Sequence, residues 1–487
     1  MDLSVERLKL SDADGGGEDR LSDLPDDVLI HILALVADAA DAAGTSILAS
    51  RWRRLWALLP ELSFHYIEHH AIGAVLAAHE APDLTLLVVL TDTEDASPES
   101  LSAWLPIAAR ALSGFIHLEV RRETGTEAEK RGAAIDLPCF EKATCIVLNL
   151  GFLGLALPPS GVFARLKELQ LIGIQLHAGQ AGLGDLISPE RCPSLEALRL
   201  RDARDLDSLN IHSNSLLRME LLDLPRLQQL TVMAPALNRL RVGNCFTDPL
   251  NPDLSAADIS APQLTSLDWM NYYHPSSIQL DKVVHLETLG VQFYILDGED
   301  EEEGFENNHY GMTLLQRFQD ICNLDLMIVY PQGICTAPYL MGHMPRFPYV
   351  TFLALGVVAY GHSFGSIPFD VLRRCTGVKE LDLDFVPEIQ LEERTPCPSG
   401  CTCDQQPNWR SEELALDCLE EIGIHGMRGN ELEVALVQLL FHWATVLKRM
   451  KIIFHESITE SKDKELRQLL LSFSRPDIHM DFSIFVP

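Results

Sequence analysis

From Cys145 onward one pattern of apolar and polar positions repeats: apolar-x-x-apolar-x-apolar. It occurs at Cys145/Leu148/Leu150, Leu166/Leu169/Leu171, Leu195/Leu198/Leu200, Leu206/Leu209/Ile211 and Leu216/Met219/Leu221. It continues at Leu227/Leu230/Val232, Leu237/Leu240/Val242, Leu264/Leu267/Trp269, Leu286/Leu289/Val291, Val350/Leu353/Leu355 and Val378/Leu381/Leu383. Between positions 198 and 240 the copies fall about every 10–11 residues, so alternate copies are about 21 apart, inside the roughly 20–29-residue period of solenoid repeats. A half-period of that size predicts coils with two short strands, one on each flank. Where the spacing widens to about 22–29 residues, a helical turn or loop fits instead. Pro193, Pro225, Pro235 and Pro262 stand one to two residues ahead of a copy, where they end the previous segment without removing a ladder N–H. The apolar positions read as core, buried coil against coil. The intervening ones, Glu196, Ala197 and Arg199 in one coil and Asn238, Arg239 and Arg241 in another, read as an exposed strip for recognising another protein.

The flanking regions are patterned differently. Val28, Leu29, Ile32, Leu33 and Val36 recur with helical spacing, with Pro25 placed for a first helical position and Asp26 and Asp27 in the first turn. Gly44 breaks the pattern and Thr45 or Ser46 can cap a second helix, whose stripe is Leu48, Trp52, Leu55 and Leu59. About 40 residues rarely supply a sufficient core alone, so the two stripes call for a covering surface. Next come a short helix within Phe64–Ala81, a strand over Leu84–Leu90, a helix over Ala103–Ala111 and an alternating strand at Ile116, Leu118 and Val120. At the other end, copies at Leu419/Ile422/Ile424 and Leu447/Met450/Ile452 flank a helix over Glu431–Arg449 that carries Leu432, Leu436, Leu439, Leu440 and Trp443 on one face.

Composition narrows the function. The 487 residues carry 70 Asp and Glu against 38 Lys and Arg, a net charge of −32. Such a chain is poorly suited to gripping phosphate backbones, which argues against nucleic acid as partner. The longest apolar run, Cys145–Leu157, is interrupted by Asn149 and is shorter than the roughly 20 residues a membrane helix needs. Residues 1–18 lack a signal-peptide core, no N-glycosylation sequon occurs, and the 11 cysteines are mostly scattered singly in apolar segments. The expectation is a soluble protein of the nucleus and/or cytoplasm that contacts no membrane.

The N-terminal stretch resembles the F-box. The resemblance is carried by Leu24-Pro25 with Leu29, Ile32 and Leu33, then Asp41-Ala42-Ala43, Thr45-Ser46-Ile47-Leu48, and Arg51-Trp52 through Leu55-Trp56. Gly44 departs from the basic or polar residue often found in plant relatives. The resemblance implies that Leu24, Pro25, Val28, Leu29, Ile32, Leu33, Leu48, Trp52 and Trp56 bind an SKP-type adaptor and, through it, a cullin. The repeats resemble those of plant leucine-rich F-box proteins, and the strand, Gly-containing turn, helix and strand after Ser411 resemble the FBD domain. Together they imply an α+β architecture: a disordered lead (1–18), an F-box helical module (19–60), a helical and strand connector (61–115) and a leucine-rich repeat solenoid (116–390) with an acidic insertion (297–311). A Cys-containing loop (391–410) and an FBD-like cap (411–487) complete it. The implied role is the target-recognition subunit of an SCF-type ubiquitin ligase, with an unnamed protein target held on the repeats. A non-degradative interaction scaffold is the alternative.

Motifs for chemistry are weak by comparison. Gly361-His362-Ser363-Phe364-Gly365 matches the G-x-S-x-G elbow, and Asp382 or Asp384 with His425 could complete a triad. Against a hydrolase, Pro368 follows three residues after Gly365 where a helix should begin, and no Gly-rich oxyanion segment lies upstream. Cys397, Cys401 and Cys403, even with Asp404, lack a recognised zinc spacing, and His69-His70 reads as surface. No P-loop, dinucleotide fingerprint or H-E-x-x-H occurs, so no catalytic residue, metal or cofactor is expected.

Overall fold

A computed structural model describes residues 24–35, 52–92, 96–121, 134–176, 182–246, 256–271, 273, 275–280, 283–294, 311–329, 344–358, 367–385 and 413–485. Its strands are, in chain order, β1 (Glu61–His65), β2 (Leu84–Asp92), β3 (Leu112–Arg121), β4 (Ala134–Asp136), β5 (Cys145–Ala156), β6 (Glu168–Leu176) and β7 (Ala197–Arg204). Then follow β8 (Ser208–His212), β9 (Arg218–Leu222), β10 (Gln229–Met233), β11 (Arg239–Gly243), β12 (Ala256–Ser260), β13 (Ser266–Met270) and β14 (Ile278–Gln279). The last are β15 (Thr288–Tyr294), β16 (Asn323–Val329), β17 (Phe352–Val358), β18 (Glu380–Phe385), β19 (Glu421–Met427), β20 (Arg449–Phe454) and β21 (His479–Ile484). The longer helices are α1 (Asp26–Ala34), α2 (His69–Ala78), α3 (Pro98–Ala111), α4 (Ile367–Arg374), α5 (Glu431–Trp443) and α6 (Glu460–Phe473).

Seventeen strands form one parallel sheet, and β8, β10, β12 and β14 form a second of four. The alternation is the two-flank coil that the half-period predicts: β7, β9, β11 and β13 join the long sheet while β8, β10 and β12 pair in register on the opposite flank. Both sets of apolar triplets are core. Leu195, Leu198 and Leu200 are buried on one flank, and Leu206, Leu209 and Ile211 on the other.

Coil length limits what the second flank can carry, although the 27-residue coil from Arg239 to Ser266 still carries the strand β12. A five-residue strand crosses about 17 Å at ~3.3 Å per residue, whereas a helix needs about 12 residues for the same distance at ~1.5 Å each. The 21-residue coils from Ala197 to Arg218 and from Arg218 to Arg239 have room only for the strand. The coils that begin at Glu421 and Arg449 reach the next strand after 28 and 30 residues, and carry the 13-residue α5 and 14-residue α6. Asp223 and Asn244, just past β9 and β11, turn the chain with positive φ of 55° and 52°, a conformation that Asp and Asn tolerate better than most residues. The Asn244 Nδ2 group donates to Asp223 Oδ1 at 3.0 Å, tying one turn to the next.

The sheet does not stop where the sequence places its domain boundaries. Residues 61–115, read as a connector, supply β1, β2 and the start of β3, in parallel register with β5. Residues 411–487, read as a cap, supply β19, β20 and β21 as the last coils of the same sheet. Their triplets have the same spacing as those of the middle, so the same ladder extends through them. Phe64, expected in a helix, lies in β1, and the helix begins at His69. At the final edge Phe482 stacks on Phe454 at 6.0 Å between centroids, and the Arg467 guanidinium lies over both rings. No helix among the described residues is long and apolar enough to cross a membrane.

Candidate functional site

Two surfaces stand out, the N-terminal helix and the open face of the long sheet. In α1 Pro25 takes the N-cap position rather than the first helical one, with φ −59° and ψ 152°, and its carbonyl accepts the first helical bond from Leu29 N–H at 3.1 Å. Asp26 and Asp27 occupy the first turn. The helix rests against the short helix Trp52–Leu55 and the 3₁₀ turn Trp56–Leu58, which lead into β1. Leu29 and Leu33 are fully buried there beside Leu55 and Leu59, with Leu24, Ile32 and Trp56 half-buried against the same core. Pro25 is exposed, as are Val28 at 37% and Leu35 at 75%. The predicted docking set therefore divides: Leu29 and Leu33 hold α1 to its own chain, while Pro25, Val28 and the outer parts of Leu24 and Ile32 are presented outward. Leu48 and the Trp52 side chain lie outside the described residues.

On the open face of the long sheet, residues between the buried positions align in rows. One row runs Gln170, Arg199, Glu220, Arg241, Asp268, Gly290, Asp325, Ala354, Asp382, Gly423 and Lys451 across successive strands. Beside it runs Glu168, Ala197, Arg218, Arg239 and Ser266. Arginines concentrate on β7, β9 and β11 around a recess of about 440 Å³. There Arg199 donates to Glu220 and to Gln170, both at 3.1 Å, and Arg239 lies 3.8 Å from Asp268.

The middle of the row changes sign. Asp268, Asp325 and Asp382 alternate with Gly290 and Ala354. Gly290 leaves room for the Asp268 carboxylate, since a Cβ at that position would stand 2.5 Å from Asp268 Oδ1 and displace it. Desolvation pushes the Asp325 carboxyl up to about 6, reinforced by the Asp268 charge and opposed by Arg241 and Arg239. Desolvation also raises Asp268 and Asp384. Further along, Glu380, Asp382, His425, Arg449 and Lys451 line a second recess of about 410 Å³.

Of the residues named for chemistry, Asp382 Oδ1 and His425 Nε2 lie 3.3 Å apart on neighbouring strands, with side chains about 40% exposed. Ser363 and the rest of Gly361–Gly365 lie outside the described residues, as do Cys397, Cys401, Cys403 and Asp404 and nearly all of the acidic insertion. Among the described residues no three His, Cys, Asp or Glu side chains converge as a metal site. The sequence reading of His69-His70 needs correction. His70 is on the surface, 3.0 Å from Glu68, but His69 is buried and links two helices and a strand. Trp104 Nε1–H donates to its Nδ1 at 3.1 Å and its Nε2 lies 3.2 Å from Thr91 Oγ1. Cys192, Cys245 and Cys375 are buried thiols, each pushed up to about 12 by desolvation, while Cys322 and Cys418 are exposed.

Sequence reasoning selected Arg199, Arg239 and Arg241 on this face and missed Arg218, Glu220, Asp268 and Asp325. The signal existed: each missed residue occupies a non-core position of its repeat, in or beside the apolar triplet. Asp325 was missed because the copy Ile321/Leu324/Leu326, which forms β16, was not counted.

Residues 109–291 match the family model described as FBD-associated F-box protein At5g56370, LRR repeats. The chain is 27% identical over 287 residues to the putative F-box/FBD/LRR-repeat protein At4g03220 of Arabidopsis thaliana, covering 57% of this chain and 56% of that one. It is 28% identical over 249 residues to the putative F-box/FBD/LRR-repeat protein At3g49030 of the same plant, covering 49% and 50%. It thus spans about half the length of these two relatives. With the putative FBD-associated F-box protein At5g56440 it is 23% identical over 478 residues, 94% of this chain and 97% of the relative.

Proposed function

We propose that this chain, which belongs with the plant F-box/FBD/LRR-repeat proteins, is the target-recognition subunit of an SCF-type cullin-RING ubiquitin ligase. The family names point to an adaptor-like protein without catalysis of its own. The single observation that carries the reading is the division of α1. Its inner side is consumed by the chain's own core through Leu29 and Leu33, yet Pro25, Val28 and Leu35 remain outside. An apolar stripe wider than its own core uses is what a helix needs in order to join a partner's surface as well.

In this reading the outer side of α1, with Leu48, Trp52 and Trp56, docks an SKP-type adaptor and through it a cullin. The open face of the sheet holds a protein target. The gain is proximity: a tethered target presents its lysines to a ubiquitin-charged enzyme at a high effective concentration. No bond chemistry is assigned to this chain, and its place of action is the nucleus and/or cytoplasm. The test is co-purification of the tagged full chain with a purified SKP-type adaptor and cullin. Wild type should retain both. A Leu24→Ala, Pro25→Ala double variant should lose them while keeping its circular-dichroism spectrum. A folded wild-type chain that retains neither overturns the proposal and leaves the scaffold reading.

A further inference from the structure

We infer that the recess over β7, β9 and β11 is an anion-reading site, and that its occupant is an acidic peptide segment of the bound protein. The inference rests on the proposal that the open face holds a target, and it names the chemistry that target must present. Three observations carry it.

First, the recess runs against the composition. The chain has 70 acidic side chains and 38 basic ones. The recess nevertheless gathers Arg199, Arg218, Arg239 and Arg241 against Glu168 and Glu220. Second, these arginines are incompletely neutralised. Arg218 stands directly opposite Arg239, one strand spacing away at about 4.8 Å, an arrangement in which like charges repel. Arg218 has no ion pair among the described residues, and Arg239 reaches Asp268 only at 3.8 Å. Third, the Arg241 Nε atom is buried with no hydrogen-bond partner among the described residues. A buried donor without an acceptor is unfavourable, and carboxylate or phosphate oxygens entering the recess would supply one. Guanidinium groups one strand apart also suit the two-pronged recognition of such oxygens.

The surroundings exclude an extended polyanion. Along the same row the arginines give way to Asp268, Asp325 and Asp382 within a few strands. A nucleic-acid backbone or an anionic membrane would meet those carboxylates and a net charge of −32 as soon as it extended past β11. A short acidic stretch flanked by neutral or basic residues avoids that repulsion and meets the aspartates with favourable charge.

The test is fluorescence anisotropy with the full chain and three labelled nonapeptides of one backbone sequence: one bearing three glutamates, one with phosphoserine in their place, and one with glutamine. The acidic peptides should bind at least tenfold tighter than the glutamine peptide and weaken with added salt. Comparable affinity for the glutamate and phosphoserine peptides means that carboxylates suffice, while a tenfold preference for phosphoserine assigns the site to phosphorylated segments; either supports the site. Arg218→Gln with Arg239→Gln should cost at least tenfold. Glu220→Gln removes a competing carboxylate and releases Arg199, so it should tighten binding at least twofold. Lys464→Gln on α6 should change nothing. Equal binding of all three peptides, or indifference to both recess variants, overturns the inference. Adaptor capture measured on the same preparations separates the two proposals: the recess variants should keep it, and its absence in wild type would leave peptide binding intact.

Discussion

The division of α1 can be tested by separating folding from docking with two adjacent substitutions. Leu29 is fully buried and Val28 is 37% exposed, although they are neighbours in sequence. Leu29→Ala removes a packed side chain, a change that costs about 2–5 kcal/mol in a core. Local structure cannot make up that loss. The helix has nine residues, below the roughly 12–15 at which isolated helices hold, and Pro25 supplies no side-chain cap. At ~1.4 kcal/mol per tenfold, even the lower figure shifts the docking of α1 onto its own chain by a factor of about 30.

Val28→Asp should act the other way. The new carboxylate is in the first turn, where the helix dipole favours it, so stability should move by no more than about 0.5 kcal/mol. Against an apolar partner surface the same carboxylate would be buried without a partner, costing about 3 kcal/mol or more and weakening adaptor binding roughly 100-fold. Hydrogen exchange at the amides of residues 29–35 reads the first effect and biolayer interferometry with purified adaptor reads the second. Leu29→Ala should lose protection and binding together, whereas Val28→Asp should lose binding alone. Unchanged exchange in Leu29→Ala, or binding within threefold in Val28→Asp, would refute the division of the helix.

Two further outcomes follow from the sheet. The Asp325 carboxyl holds its proton up to about pH 6 in the folded chain but only to about 3.9 when unfolded. The folded state therefore binds more protons in that window, and its stability falls as pH rises from about 4 through about 6. Asp325→Asn should remove that part of the slope, so that urea midpoints of wild type and variant converge at pH 4 and diverge by pH 7; parallel profiles would contradict the assignment. In the first turn of α5, the buried Glu433 carboxylate accepts backbone N–H bonds from Arg428 at 2.8 Å and Gly429 at 2.7 Å, with a longer one from Asn430 at 3.3 Å. Glu433→Ala should cost about 2–4 kcal/mol by orphaning those donors, with Glu433→Gln intermediate, as read by urea denaturation and by proteolysis within the last two coils.

The solenoid was legible because its period is written in leucines. Two strands per coil between residues 197 and 243 follow from 10–11-residue spacing, and Leu209 and Leu230 fall where that spacing puts them, whereas β12 and β14 lie beyond the stretch with that spacing. At the C-terminal end the copies Leu419/Ile422/Ile424 and Leu447/Met450/Ile452 were legible too, but the helix between them dominates a 28-residue coil and hides that their strands join the long sheet. The pairing of Ile422 with Met450 supplies that register. His69 was misread for a different reason. Its partners Trp104 and Thr91 are 35 and 22 residues away, and a buried hydrogen-bonded histidine has no local signature. The division of α1 was also invisible, since Val28 and Leu29 both belong to the apolar stripe and only the burial of Leu29 in the folded chain shows which one faces inward.

The continuity of the sheet bears on how recognition would be coupled to docking. From β1, which follows the segment that α1 packs on, the ladder passes through β2, β3, β5, β6 and β7 to β9 at the centre of the arginine recess. Six strand spacings of ~4.8 Å give about 29 Å along the sheet. Each spacing is a hydrogen-bonded parallel register, so under the proposed function the arm between adaptor and target would be stiff along this path. A flexible tether would hold a bound target at an effective concentration set by chain statistics, tolerant of where its lysines lie. A stiff arm concentrates the target over a narrower set of positions, so which lysines are reached depends on where the acidic segment lies relative to them. Target choice would then have two layers: the charge pattern that seats a segment in the recess, and the distance from that segment to an acceptor lysine. The open sheet edge at β21 plays no part in that geometry, because it lies at the end of the ladder remote from α1.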